Sequence, residues 1–288
     1  YLVTAQAQSY YSEHFSEIAS KVFAVSSLKV LGVNRVELVA PNSTIDVVIP
    51  FKDNPDMTID CLNSVLMQEA SVSIYLVNNN STEHTLEQIS KFTSQHENIQ
   101  VIHDSGYFNY ARLCNLGSAS GTGRMLVMMN NDVVLHSANA LSRLASWAEQ
   151  PDIGVVGPKL NYPSGLTQTA GIVFADIRPA NMADKSQFID CIRAVDAVCL
   201  ALGVVRREIW DSLGGLSDSK CPNGFGDVLF GREVTALGLT NLVDPSVTAT
   251  HHESISRGVQ AEEVEWEQLD DQGAAIASLN SEFRSWNE

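Results

Sequence analysis

Basic side chains are scarce in this chain of 288 residues. Eighteen Lys and Arg stand against 34 Asp and Glu, a formal net charge of −16. A nucleic-acid-binding surface needs clustered Lys and Arg. No such cluster is present, so nucleic acid is excluded as a partner. Long apolar runs are missing too: none approaches the roughly 18 to 20 residues that cross a bilayer. No signal-peptide pattern opens the chain, and a start at Tyr1 rather than Met is the one expected of a processed or excised piece, in which targeting signals would be missing. Cysteine is sparse and odd in number: Cys61, Cys114, Cys191, Cys199 and Cys221, with no Cys-x-x-Cys. That excludes a disulfide framework and a thiolate zinc site, and it predicts reduced, mostly buried thiols in a cytosolic protein. Internal repeats and low-complexity segments are also lacking.

The composition that remains, 44% hydrophobic and 18% charged, is that of a globular protein with room for one large α/β domain. Three regions separate. Residues 1–44 are an N-terminal helical lead-in, in which Tyr11, Phe15, Ile18 and Val22 share one helical face. Residues 45–258 are the body, where apolar strand-like runs alternate with amphipathic stretches. The expected strands are Ile45–Pro50, Val72–Val77, Ile99–Ile102 and Arg124–Met129. The expected helices are Asp56–Gln68, one containing Leu86–Phe92, and Tyr110–Ala119. This βαβαβαβ rhythm with short connections predicts a mainly parallel sheet with helices on both faces. Ligands of such sheets bind at the carboxyl ends of strands, so the loops after Ile49, Val77, Ile102 and Met129 should converge on one site. Beyond Asn131, glycines punctuate short strands that complete the site in a mixed sheet. Residues 259–288 read as an acidic C-terminal helix with a seam of Trp266, Leu269, Ile276, Leu279, Phe283 and Trp286. Eight acids and one base in that tail contribute −7 of the −16.

Four stretches of the body carry chemistry. In Asn130-Asn131-Asp132 a carboxylate follows a buried strand at the ligand-binding edge, where it suits a hard divalent cation on a diphosphate; a plain turn has the same composition. Between Thr250 and Gly258, His251, His252, Glu253, Ser254 and Arg257 bring imidazole for a metal and Arg with Ser for phosphate oxygens, or simply a polar loop. Asp227 follows the Gly-rich Asn223-Gly224-Phe225-Gly226 and precedes a helical run, which makes it either a helix cap or a rigidly held general base. Asn78-Asn79-Asn80-Ser81-Thr82 offers amides and hydroxyls to a nucleobase or ribose, or caps the next helix.

Taken in order, these stretches resemble the inverting family 2 glycosyltransferases of GT-A fold, most closely the bacterial branch of O-antigen and surface polysaccharide enzymes, with its rhamnosyltransferase-like members. The resemblance runs from Ile45 to Gly258. It includes the Pro50-Phe51-Lys52-Asp53 loop, Val77 through Thr82, and Gly106 with Ala111, Asn115 and Gly117. It continues with Asn130-Asn131-Asp132 at the Asp-x-Asp position, Gly157-Pro158-Lys159-Leu160, Thr169-Ala170-Gly171, Gly214-Gly215-Leu216, Phe225-Gly226-Asp227-Val228 and His251 through Gly258. The sequence departs from the family at Asn78, where Asp is usual, at Asn130 in place of the first Asp, at Gly226 in place of Glu or Asn, and at Leu229 in place of a second Asp.

The resemblance implies roles. Asp132 with His251 or His252 would hold Mg²⁺ or Mn²⁺. Asp227 would be the catalytic base. Pro50, Phe51, Asp53, Asn78, Asn79, Arg112, Asn130, Asn131, Ser254 and Arg257 would contact the donor, a UDP- or dTDP-linked sugar. The acceptor would be a glycan or lipid-linked hydroxyl. The enzyme would be cytoplasmic, or peripheral on the inner face of the cytoplasmic membrane through other domains of a longer chain or a membrane-associated complex. Two other classes compete. A sugar-1-phosphate nucleotidyltransferase needs a Gly-rich loop after the first strand, and Phe51-Lys52-Asp53-Asn54-Pro55 has no glycine. A non-catalytic sugar-nucleotide-binding or scaffold module would bind donor without turnover.

Overall fold

The computed structural model describes residues 44–175, 178–181 and 190–252. The lead-in and the acidic C-terminal segment therefore lie outside the described residues. Strands are β1 (Ile45–Phe51), β2 (Val72–Asn79), β3 (Ile99–Asp104), β4 (Met125–Met129), β5 (Val133–Leu135), β6 (Ile153–Asn161), β7 (Thr167–Thr169), β8 (Ile172–Ala175), β9 (Arg178–Asn181), β10 (Arg193–Val195), β11 (Leu202–Arg206) and β12 (Thr240–His251). The described helices are α1 (Pro55–Leu66), α2 (Glu83–Thr93), α3 (Tyr110–Ser118), α4 (Ala140–Ala148), α5 (Arg207–Leu213) and α6 (Gly226–Ala236).

One ten-stranded sheet dominates, in the order β10-β12-β6-β11-β4-β1-β2-β3, with β5 paired to β12 and β7 to β6. The four strands read from the sequence form its parallel half: β1 pairs in parallel with both β2 and β4, and β2 with β3. The other half is mixed. β11 runs antiparallel to β4 and β6, while β12 runs parallel to β6. β8 and β9 form a separate antiparallel pair. The architecture is the expected GT-A-like α/β sheet.

Alternation explains why β4 and the Val47–Phe51 part of β1 are apolar throughout. Side chains of a strand point to opposite faces in turn. Val48, Leu126, Met128, Val155, Val205 and Val243 share a buried cluster with Ala111, Leu113 and Cys114 of α3, Ile209 and Trp210 of α5, and Phe230 and Val234 of α6. The intervening Val47, Ile49, Val127 and Met129 are buried as well, so both faces are covered. Each fully buried large apolar side chain stabilises the fold by about 1.5–3 kcal/mol. Helix α3 lies close enough to β1 that a Cβ at Gly117 would overlap the Val48 side chain. Pro50 is tolerated inside β1 because the β1–β4 pairing ends at Val48; the amide that proline lacks is not needed there.

Three of the five cysteines, Cys61, Cys114 and Cys221, are buried, Cys199 is half-buried and Cys191 is exposed. Burial pushes the Cys114 thiol up to about 12 and that of Cys221 to about 11, which removes both as nucleophiles. No helix among the described residues is long and apolar enough to cross a membrane.

Candidate active site

The parallel half places the carboxyl ends of β1, β2, β3 and β4 along one edge. At the β2–β3 end, Asn78 sits beside His103 and Asn79 beside Asp104 in the strand register. Both asparagines are buried. Asn78 Oδ1 accepts from the Ser81 amide at 3.1 Å, and its Nδ2 lies 3.3 Å from His103 Nδ1. Asn79 Nδ2 donates to Asp104 Oδ2 at 2.9 Å and to the Gly106 carbonyl at 3.0 Å. Arg112 grips Asp104 with both terminal nitrogens, at 2.5 and 2.9 Å, and also holds the Tyr107 carbonyl at 2.7 Å. That guanidinium holds the Asp104 carboxyl below the usual carboxylate range. Arg112 therefore reaches the expected pocket wall, but its charge is matched there by Asp104.

Asp53 and Asn54 follow β1 in left-handed backbone, with φ of 53° and 47°. Asp53 Oδ1 accepts from the Thr82 amide at 2.8 Å, and the Asp53 amide donates to Ser81 Oγ at 2.9 Å. The β1 and β2 loops are thus tied together, with Phe51 buried beneath them. Among the described residues only two other non-glycine positions, Asn80 and Phe225, have positive φ, both at 57°. All four flank candidate site residues, where backbone strain of this kind concentrates.

The centre of the edge is Asn130-Asn131-Asp132. Asn131 turns inward, and its Nδ2 donates to Thr58 Oγ1 of α1 at 2.9 Å. Asp132 is buried. Antiparallel pairing of β12 with β5 sets His251 opposite Val133. This brings His251 Nε2 to 3.3 Å from Asp132 Oδ1 and 3.3 Å from Asn130 Nδ2. His252 instead gives its backbone amide to the Asp132 carbonyl at 3.0 Å. Of the two histidines, His251 is the one whose ring meets the carboxylate. Ser254 and Arg257 lie outside the described residues.

Two buried oxygens in this cluster, Asn130 Oδ1 and Asp132 Oδ1, have no hydrogen-bond partner. Leaving such groups unpaired costs about 1–3 kcal/mol each, more for a charge. Two oxygens and an imidazole nitrogen are a donor set that suits Mg²⁺ or Mn²⁺. No group of three or more His, Cys, Asp and Glu side chains with that capacity occurs among the described residues; here an asparagine amide supplies one of the three donors.

Asp227 stands one position inside α6. The N-cap is Phe225, in left-handed conformation and with no side-chain cap bond. Asp227 is thus not the cap residue, although its Oδ1 accepts from the Val228 amide at 2.8 Å. Burial pushes its carboxyl above the usual range, against the hydrogen bonds from Val228 and Leu200 that lower it. The Leu200 amide bonds Asp227, and the neighbouring Ala201 carbonyl accepts from the Asn130 amide at 2.9 Å. Residues 200 and 201 therefore link the candidate base to the Asn130–Asp132 loop. Tyr110 Oη donates to the Leu200 carbonyl at 3.3 Å, bracing the same link.

Several contributors were not found by sequence reasoning. Gln168 of β7 is buried and its Oε1 lies 2.8 Å from His251 Nδ1. His103, Asp104 and Leu200 are others. Asn115 and Gly215, by contrast, are a structural pair. Asn115 accepts from the Leu216 amide and donates to its carbonyl, and Gly215 at φ 75° leaves room for the Asn115 side chain.

Residues 46–186 match the family described as Glycosyl transferase family 2. The O-antigen biosynthesis protein RfbC of Myxococcus xanthus is 29% identical over 229 residues, 75% of this chain and 18% of the relative. The chain spans a quarter or less of the length of the first curated relatives it matches. Among solved structures, the mannosyltransferase PcManGT of Pyrobaculum calidifontis, in complex with GDP-Man and Mn²⁺, superposes with a TM-score of 0.65 at 14% identity, over 94% of this chain and 71% of that one. GalNAc-T7 with UDP, GalNAc and Mn²⁺ gives 0.63 at 16% identity, over 73% of this chain and 43% of that one. Identities this low bear on the fold alone.

Proposed function

We propose that this chain is a glycosyl transferase of family 2, whose model it matches over residues 46–186, and that it moves a sugar from a nucleotide-diphosphate donor to an acceptor hydroxyl with inversion and requires a divalent cation. The observation that carries this reading is the pair of orphaned buried oxygens, Asn130 Oδ1 and Asp132 Oδ1, beside His251 Nε2. Asp132, Asn130 and His251 would hold Mg²⁺ or Mn²⁺, which offsets the negative charge that builds on the leaving nucleotide diphosphate. Asn78, Asn79 and Asp53 fix the loops against which the nucleoside lies, and Phe51 and Pro50 form their floor. Ser254 and Arg257 would contact the diphosphate.

Asp227 takes the proton from the acceptor hydroxyl as that oxygen attacks the anomeric carbon. The leaving nucleotide diphosphate departs from the opposite face. One displacement inverts the configuration and needs no covalent sugar–protein intermediate, in contrast to retaining glycoside hydrolysis. A carboxyl raised by burial suits this task, because a stronger base accepts the hydroxyl proton more readily. The likeness to an O-antigen protein supports a glycan or lipid-linked acceptor of bacterial surface polysaccharide synthesis. The donor nucleotide is uracil- or thymine-based in this reading.

A donor panel tests it. UDP-, dTDP- and GDP-sugars are added with Mn²⁺ and the Tm followed, since a ligand that binds only the folded state raises it by mass action. One donor class should raise the Tm with Mn²⁺ and lose that effect with EDTA. Binding with no release of nucleotide diphosphate under any acceptor condition would favour the non-catalytic module.

A further inference from the structure

We propose that Gln168 is a positioning residue: it fixes the ring of His251 with the proton on Nδ1 and leaves Nε2 unprotonated, its lone pair held by the Asn130 Nδ2–H until a cation displaces that amide. This deepens the reading of Asn130, Asp132 and His251 as a cation cradle and rests on it. Three observations carry the inference. Gln168 Oε1 lies 2.8 Å from His251 Nδ1, with both residues buried. On the other side of the ring, Asn130 Nδ2 is 3.3 Å from Nε2. An amide oxygen only accepts and an amide nitrogen only donates. Both contacts therefore demand the same tautomer, protonated at Nδ1 and bare at Nε2.

The third observation is the consequence for Asp132. Its Oδ1 is 3.3 Å from Nε2 and has no hydrogen-bond partner. In the Nδ1–H tautomer no proton lies between that oxygen and that nitrogen. Two acceptors face each other inside the protein, an unfavourable arrangement that a bound cation would relieve. A histidine that ligates a metal through one nitrogen is oriented by the hydrogen bond its other nitrogen makes, and losing that partner costs about 10–100-fold in metal affinity. Burial of every residue in β7 holds Gln168 in place: its neighbours Thr167 and Thr169 are buried with it, and β7 pairs with β6 at the strand that also carries β12. The sheet thus fixes Gln168 and His251 relative to each other.

The test uses the full chain and two readouts. In the metal-free protein labelled with ¹⁵N-histidine, long-range ¹H–¹⁵N correlation reports the tautomer of His251, assigned by comparison with His251→Ala. Mn²⁺ alone is then titrated and followed by electron paramagnetic resonance. Wild type should show the Nδ1–H form. Gln168→Met keeps the length of the side chain but removes the acceptor. It should populate the Nε2–H form and bind Mn²⁺ about 10–100-fold more weakly. Gln168→Glu restores an acceptor and should keep both the tautomer and the affinity within about threefold. An Nε2–H form in wild type, or Mn²⁺ affinity unchanged in Gln168→Met, overturns the proposal. Should Gln168→Met fail to fold, the wild-type tautomer and the Glu variant still decide. Asp132→Ala separates the underlying reading: if Mn²⁺ binding is absent in wild type or equal in Asp132→Ala, the cradle itself is wrong and the proposal falls with it, whatever the tautomer shows.

Discussion

Two buried carboxylates at opposite ends of the parallel half behave differently. Asp46, at the start of β1, leaves no buried oxygen without a partner. Its Oδ2 accepts from the Gly123 amide at 2.6 Å and from Arg207 at 2.7 Å, and Arg207 also donates to the Gly123 and Ser118 carbonyls. Asp132, just past the end of β4, is nearly as buried, yet one of its oxygens has no donor. Asp244 in β12 resembles the first case, with Arg143 and Trp147 both donating to it. Where the protein needs only to close its fold, it leaves no buried carboxylate oxygen unpaired, as at Asp46 and Asp244. Where a carboxylate is left incomplete, something outside the chain is expected to complete it. Structural and functional acids are thus separable by satisfaction, not by burial.

The largest expected effect breaks the satisfied end. Asp46→Ala leaves the half-buried Arg207 without its carboxylate partner and should lower stability by about 3 kcal/mol, read by denaturant unfolding. Donor binding per folded molecule should not change. Next comes the base. Asp227→Asn should cut turnover by about 10²-fold or more while donor binding survives. A loss under about threefold would make the hydrogen bond to Val228 its whole role.

The same residue predicts opposite trends in stability and activity. Its folded pKa is raised, so its contribution to stability is present below the unfolded value and is lost as pH rises through the folded one. Asp227→Asn should therefore raise the Tm at neutral pH. In wild type the acid limb of kcat/KM should lie above the ordinary carboxylate value of about 3.9, because the protonated form cannot accept the hydroxyl proton.

The smallest effect sharpens the contrast within one loop. Asn131→Ala loses the bond to Thr58 and should cost about 0.5–1.5 kcal/mol of stability, with little change in Mn²⁺ affinity. Asn130→Ala should do the reverse, since its Oδ1 is unpartnered.

Much of this was legible in the sequence, and for a physical reason. β1, β2 and β4 lie where the sheet is covered on both faces, so each reads largely as an apolar run, while the edge strand β3 showed through Ile99, Val101 and Ile102. Asp132 and Asp227 follow such a run or open a helix, which made them visible as well. The other half of the sheet was less legible because its order depends on long-range pairing. β11, which begins only at Leu202, is inserted between β4, which ends at Met129, and β6. β12 is interrupted by a register shift between Asp244 and Thr248, at Pro245. Gln168 was invisible for a related reason: it sits in the three-residue polar strand Thr167–Thr169, and only the β6–β12 pairing brings it to His251. Arg112 shows the converse. The resemblance implied a donor contact there, and the fold adds a partner the sequence did not show, Asp104.

Release of nucleotide diphosphate is the most direct test of the central claim. Wild type and Asp227→Asn are compared on the donor identified by thermal shift, with Mn²⁺ and again after EDTA. The account predicts release by wild type with Mn²⁺, and little or none after EDTA or in Asp227→Asn. Equal release by both proteins, or release indifferent to EDTA, would contradict it.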